Sequence, residues 1–182
     1  MIAGSLNRKM AEKTLMRPAD TSPVLIRSGK RPVTMEMHWG LEPVMRGGRS
    51  ATLVRADGRE FAAEERCLIP ATSLFVKDDE GRKWTVTFED YGSFFCFPGI
   101  WRKASATWPD AYAVLTVPAY PDLAHLKERH DAFLPRSQWM HWLCGFPTAE
   151  VLRPLPKGSL RVEPVGRAGA VGDLFFEGEQ HD

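Results

Sequence analysis

The apolar positions of this chain fall in short runs rich in Val, Ile, Phe, Tyr and Trp, broken by Gly, Pro, Asp and Ser, which is the pattern of strands joined by turns. Pro23-Val24-Leu25-Ile26-Arg27 and Pro32-Val33-Thr34-Met35-Glu36-Met37 are separated by Ser28-Gly29-Lys30-Arg31 and predict a hairpin. Trp84-Thr85-Val86-Thr87-Phe88 and Ser93-Phe94-Phe95-Cys96-Phe97 flank Asp90-Tyr91-Gly92 and predict a second. Ala111-Tyr112-Ala113-Val114-Leu115-Thr116-Val117 is largely apolar at odd and even positions alike, so a central strand covered on both faces is expected there.

Helix signals are fewer. Pro121-Asp122-Leu123-Ala124-His125-Leu126 has a capable N-terminal start, and Ser137-Gln138-Trp139-Met140-His141-Trp142-Leu143 closes at Gly145. The pattern therefore predicts an α+β domain whose core is a sheet and whose helices are short. Gly166, Gly169, Gly172 and Gly178 lie among small and acidic residues, so a single domain is placed at 1–165 and a flexible tail at 166–182. No internal repeat or linker divides the chain.

Composition narrows this picture without changing it. A chain of 182 residues buries one substantial core, and 43% hydrophobic with 26% charged residues is ordinary for a globular protein. No apolar run approaches the roughly 20 residues of a membrane span, and the first residues lack the apolar stretch of a signal peptide. Cys67, Cys96 and Cys144 are far apart and form no CxxC pair, which suits a reducing cytoplasm and buried, unreactive thiols. His38, His125, His130, His141 and His181 show no HxH or HExxH spacing, so neither a metal nor another cofactor is expected.

The formal net charge of +1 argues against nucleic-acid binding by bulk electrostatics. The charge is unevenly placed, however: up to Pro70 there are twelve Lys/Arg against eight Asp/Glu, and acids outnumber bases in the remainder. Arg46, Arg49, Arg55 and Arg59, around Gly47-Gly48, form either a local basic face or a solvated loop of mixed charge.

Several blocks carry a more specific signal together than any does alone. Trp39-Gly40-Leu41 with Pro43 follows a strand, where a tryptophan either seals the core or stacks on a base. Arg66-Cys67-Leu68-Ile69-Pro70-Ala71-Thr72-Ser73 is a strand entering a loop, and Phe97-Pro98-Gly99-Ile100-Trp101 is a strand leaving the sheet next to it. In this order these blocks are similar to the signature blocks of SRAP proteins, the SOS response-associated peptidase family, followed by its Thr-containing strand at Val114-Leu115-Thr116. His130-Asp131 with Pro135 resembles the family's His-Asp-Arg-Met-Pro motif, lengthened because Ala132-Phe133-Leu134 intervene, and Leu152-Arg153-Pro154-Leu155-Pro156 resembles its ending.

This resemblance, running from Pro23 to Val165, implies a mixed, mostly antiparallel, barrel-like sheet with short flanking helices. It also implies a cytoplasmic monomer that engages single-stranded DNA at abasic sites in the DNA damage response. The family's reaction uses a cysteine at position 2, whose thiol and α-amine close a thiazolidine on the sugar aldehyde, assisted by an acid that opens the sugar ring. His130 stands at the acid's position, where an imidazole with a pKa near neutrality suits the role. Arg55 stands at a phosphate-contacting position, with Trp39 as a stacking platform and Thr116 on the family's Thr strand.

The chain departs from that pattern at the reactive centre. Position 2 is Ile2, and its bulk is expected to leave Met1 in place. The family's glutamate falls on Val76, and its Asn-Ala-Arg-Ala-Glu block maps to Leu53-Val54-Arg55-Ala56-Asp57. Three readings follow: non-covalent binding of single-stranded or damaged DNA, residual lyase chemistry through the Met1 α-amine, and a scaffold that serves only as a protein-interaction module. An alternative start upstream of Met1 is a fourth.

Overall fold

In the computed structural model the described residues are 15–88, 95–165 and 175–177. They form strands β1 (Leu15–Met16), β2 (Thr21–Ser28), β3 (Arg31–Trp39), β4 (Leu53–Arg55), β5 (Arg66–Ala71), β6 (Ser73–Lys77), β7 (Lys83–Phe88), β8 (Phe95–Arg102), β9 (Ala111–Pro118), β10 (Arg129–Asp131), β11 (Leu160–Pro164) and β12 (Phe175–Glu177). The helices are short: α1 (Trp139–Leu143), α2 (Thr148–Val151) and two 3-10 turns at Ala63–Glu65 and Arg136–Gln138.

A seven-stranded sheet runs β10-β9-β3-β2-β5-β8, and β8 pairs back onto β9, so five of its strands close into a ring. Closure leaves β9 with four partners. One edge pairs parallel with β3 at Ala111 and Tyr112 and with β4 at Val114 to Thr116. The other pairs antiparallel with β8 at Ala111 to Val114 and with β10 at Thr116 to Pro118. Every residue from Ala111 to Val117 is buried, as the unbroken apolar run predicts.

The interior of the ring is marked by a hydrogen bond between the Tyr112 and Ser22 hydroxyls at 2.8 Å, which joins β9 to β2 past the intervening β3. Gly99 on β8 is where the wall is thinnest. A Cβ there would lie 2.4 Å from Ile69 Cδ1 and 2.7 Å from the Ala113 carbonyl oxygen, so no side chain fits without moving backbone.

The second sheet, of five strands in the order β1-β12-β6-β7-β11, packs through aromatic rings. Phe88 of β7 meets Phe95 of β8 and Phe133 at centroid distances of 5.6 Å each, and Phe97 meets Phe133 at 5.3 Å. Such tilted and edge-on pairs add about 0.5 to 1.5 kcal/mol each beyond the area they bury.

The first predicted hairpin forms as β2 and β3, paired from Thr21–His38 to Ser28–Arg31. The second does not. β7 pairs with β6 and β11, whereas β8 pairs with β5 and β9, so the two runs lie in different sheets; residues 89–94 between them lie outside the described set. Nor is Pro121–Leu126 a helix. Its residues make consecutive turns, and the Asp122 carboxylate accepts the N–H groups of Gly158 and Leu160 in place of capping a helix of its own. The helical reading of Ser137–Leu143 appears as a 3-10 turn running into α1, closed by Gly145 at φ 83°. Of the tail beyond Gly166, only Phe175–Glu177 is described, and it is strand β12, parallel to both β1 and β6.

Gly99→Ala is expected to lower stability by about 2 kcal/mol or more, the cost of overpacking against backbone. A urea melt giving a midpoint equal to wild type would show that the β8 wall yields.

Candidate nucleic-acid interface

Three strands carry one residue each into a single row. Arg55 of β4 is in register with Thr116 of β9, and Thr116 is in register with Asp131 of β10. Directly paired residues project to the same face, so the three side chains lie side by side on neighbouring strands about 4.8 Å apart. Thr116 follows Tyr112 and Val114 at every second residue, which places the row on the face of β9 that lines the ring, near the strand's end at Pro118.

The row runs from solvent to interior. Arg55 is exposed, whereas Thr116 and Asp131 keep 6% and 5% of their surface. Among the described residues the Arg55 guanidinium has no ion pair, the Thr116 hydroxyl no hydrogen bond and Asp131 Oδ1 no donor. The nearest cation in sequence, Arg129, is engaged by the Asp57 carboxylate and by the Thr116 carbonyl oxygen at 3.0 Å.

Burial without a partner penalises the charged form of a carboxyl, and the pKa of Asp131 is pushed up from 3.8 to about 7. Most buried polar groups are paired, and a donor or acceptor left unpaired costs about 1 to 3 kcal/mol. Arg66 of β5 shows the ordinary solution. Also buried, it donates to the carbonyls of Phe61, Trp142 and Phe146 at 3.0, 3.3 and 2.6 Å, lies 4.2 Å from the Trp142 ring and faces Glu60 at 3.5 Å.

His130 sits next to Asp131 with both ring nitrogens occupied. Nε2 accepts the Tyr120 backbone N–H at 2.8 Å, which leaves the proton on Nδ1, donated to the Asp131 carbonyl oxygen at 2.8 Å. Desolvation first, and Arg129 as well, lower its pKa, so the ring is neutral and ties the Tyr120 turn to β10. To serve as an acid it would have to leave both bonds.

Trp39, at the end of β3, keeps 1% of its surface, and its indole N–H donates to the Thr52 carbonyl oxygen at 3.1 Å. The ring faces other side chains of the core, so stacking on a base would require that packing to open. Val76 lies in the second sheet at 7% exposure, and Leu53 is half-buried at the start of β4. Met1 and Ile2 lie outside the described residues. The row thus unites Arg55 and Thr116 with Asp131, which the sequence placed in the His130-Asp131 block without a role of its own; an acid followed by Ala132-Phe133-Leu134 was the available signal.

The loop between β3 and β4 adds exposed groups. Leu41 and Ala51 bridge its base, and Val44, Met45, Arg46 and Arg49 project from it, the arginines without ion pairs among the described residues. Cys67 and Cys96 are buried, with thiols pushed well above their ordinary pKa by desolvation, and neither they nor the exposed Cys144 is paired. Among the described residues no group of three His, Cys, Asp or Glu side chains is placed to hold a metal, and no helix is long and apolar enough to cross a membrane.

A closed ring of strands with a second sheet packed on it and few helices defines a sheet-dominated α+β protein. Residues 4–171 match the family model described as SOS response associated peptidase (SRAP), and the chain belongs to that family. In fold it is similar to the crystal structure of a phage-related protein from Bordetella bronchiseptica, with a TM-score of 0.62 and 18% identity over 82% of this chain and 80% of that one. Comparison with curated proteins gives no match.

The two neighbours titrate with opposite consequences. Asp131 binds its proton more tightly folded than unfolded, so stability falls as pH rises from about 4 to about 7; for a fully buried group the loss is on the order of 4 kcal/mol. His130 binds its proton less tightly folded, so stability falls as pH drops below about 6.5. Asp131→Asn is therefore expected to raise the melting temperature at pH 8 and to flatten its decline above pH 5. A variant that melts lower than wild type at pH 8 would refute the unpaired-carboxyl reading.

Proposed function

We propose that this SRAP protein binds single-stranded DNA, abasic and otherwise damaged strands included, without forming a covalent bond to it. The observation that supports this most directly is Arg55: an exposed guanidinium without an ion pair, fixed on a strand beside the unpartnered Thr116 hydroxyl. A planar cation so placed takes a phosphate, which positions a strand without reading its sequence. Arg46 and Arg49, on the loop that leads into β4, extend the positive character along the chain.

The non-covalent part of the proposal follows from what stands at the reactive positions. Val76 offers no carboxyl, and the pKa of each buried thiol is raised, which disfavours the thiolate that a nucleophile requires. His130 holds its neighbours through both ring nitrogens. The scaffold is then a clamp for the strand.

Fluorescence anisotropy with a labelled single strand carrying one abasic site tests this. Arg55→Ala is expected to weaken binding by roughly 5- to 10-fold at low salt and to reduce the salt slope by about 0.7, the share of one phosphate contact on a single strand. Equal binding by wild type and variant at low salt would remove DNA from the proposal and leave the scaffold as an interaction module.

A further inference from the structure

Between Arg31 and Met37, strand β3 is paired along one edge only among the described residues. That edge meets β2 throughout, whereas the other meets β9 at His38 and Trp39 alone. In an antiparallel ladder the backbone groups of every second residue point away from the partner. The His38 N–H, which donates to the Asp110 carbonyl oxygen at 2.9 Å, identifies the outward set. Counted back in unbroken register, that set includes Thr34 and Pro32. Proline has no N–H to leave unpaired, which suits it to such a position. The N–H and carbonyl of Thr34 have no partner among the described residues.

Side chains mark the same edge. Met37, Met35 and Val33 share one face of β3: Met37 is buried, Met35 is half-buried against the core and Val33 is exposed, so an apolar strip runs out from under its cover. The strip ends at the β2–β3 turn, where Arg27, Lys30 and Arg31 are exposed without an ion pair among the described residues. Arg27 Nε donates to the Gly29 carbonyl oxygen at 2.8 Å, which fixes the guanidinium over the turn and leaves its terminal N–H groups for another acceptor. Glu65, just before the neighbouring β5, is engaged by Arg102 at 3.0 Å.

We propose that the β3 edge docks an extended acidic segment of a partner protein. The segment adds a strand beside Thr34, lays alternate apolar residues against Val33 and Met35, and sets its carboxylates against Arg27, Lys30 and Arg31. Glu36, further along β3, disfavours acids there, so the acidic part lies at the turn. A nucleic-acid strand would use the cations and leave Thr34 unpaired; only a peptide backbone offers an acceptor and a donor at strand spacing. The surface shares no residue with the Arg55 row and needs no DNA.

Amide hydrogen exchange of the full chain, read at Thr34, tests this with two eight-residue peptides, one alternating valine with glutamate and one alternating valine with lysine. The Thr34 amide is expected to exchange freely in the protein alone and to slow by about 10-fold or more when the glutamate peptide is saturating, as an opening-limited strand amide does. The lysine peptide should leave it fast. Arg27→Glu combined with Arg31→Glu, both at exposed positions, should weaken the glutamate peptide by roughly 10-fold, the scale of two exposed ion pairs lost. A Thr34 amide already slow in the dilute free chain shows the edge to be covered and overturns the proposal. So does slowing that follows protein concentration alone, which assigns the edge to a second copy, or slowing by single-stranded DNA and not by the glutamate peptide. Equal effects of the two peptides, or none from either, overturn it as well, and the Arg55 reading stands or falls separately.

Discussion

The structure depends on the sharing of β9 among four strands. A strand has two edges, and an eight-residue strand has enough backbone for two short partners on each. The parallel partners, β3 and β4, lie far earlier in the chain, and a parallel pairing requires a long crossover; here the chain passes through β5 to β8 before it returns. That return closes the ring. It also puts Arg55, Thr116 and Asp131, which are separated by 61 and 15 positions in the numbering, on one line of register. Loss of the β9 pairing would remove the core and the candidate site together.

Two buried ionisable side chains of this fold are satisfied to very different degrees. Arg66 is surrounded by carbonyl oxygens, an indole face and a carboxylate, and its donors stabilise the turn through Phe61 and the end of α1 against β5. Asp131 is comparably enclosed, and its Oδ1 finds no donor among the described residues. Both were carried into the interior by apolar neighbours, Cys67-Leu68-Ile69 in one case and Ala132-Phe133-Leu134 in the other. Packing explains the burial of each, and hydrogen bonding offsets the cost of burial only for the first.

The sheet was largely legible in the sequence because its strongest elements are locally determined. The β2–β3 hairpin has its turn residues at Ser28-Gly29-Lys30-Arg31, and β9 has a run apolar on both faces. What failed was pairing at a distance. Phe88 and Phe95 are seven positions apart across β7 and β8 and read locally as a hairpin, yet their side chains meet because two sheets pack there, not because their strands pair. Asp122 looked like a helix cap because its partners at Gly158 and Leu160 lie more than thirty residues downstream. The candidate site divides in the same way: Arg55, Thr116 and the His130-Asp131 block stood out through resemblance, whereas the burial of Asp131 and its place beside Thr116 emerge only when β10 is laid against β9.

This division bears on what the fold itself requires of its buried residues. The core that includes Trp39, Tyr112, Phe97 and Phe133 stands with an aliphatic residue at Val76, because hydrophobic burial and register ask for no carboxylate there. An aliphatic residue at position 76 is favoured by the same burial that would have disfavoured a charge there. The penalty at Asp131 runs the other way: an apolar residue there would remove an unpaired acceptor and relieve its cost. A buried acid beside an exposed Arg55, which has no ion pair among the described residues, is thus the feature of the row that packing alone does not explain.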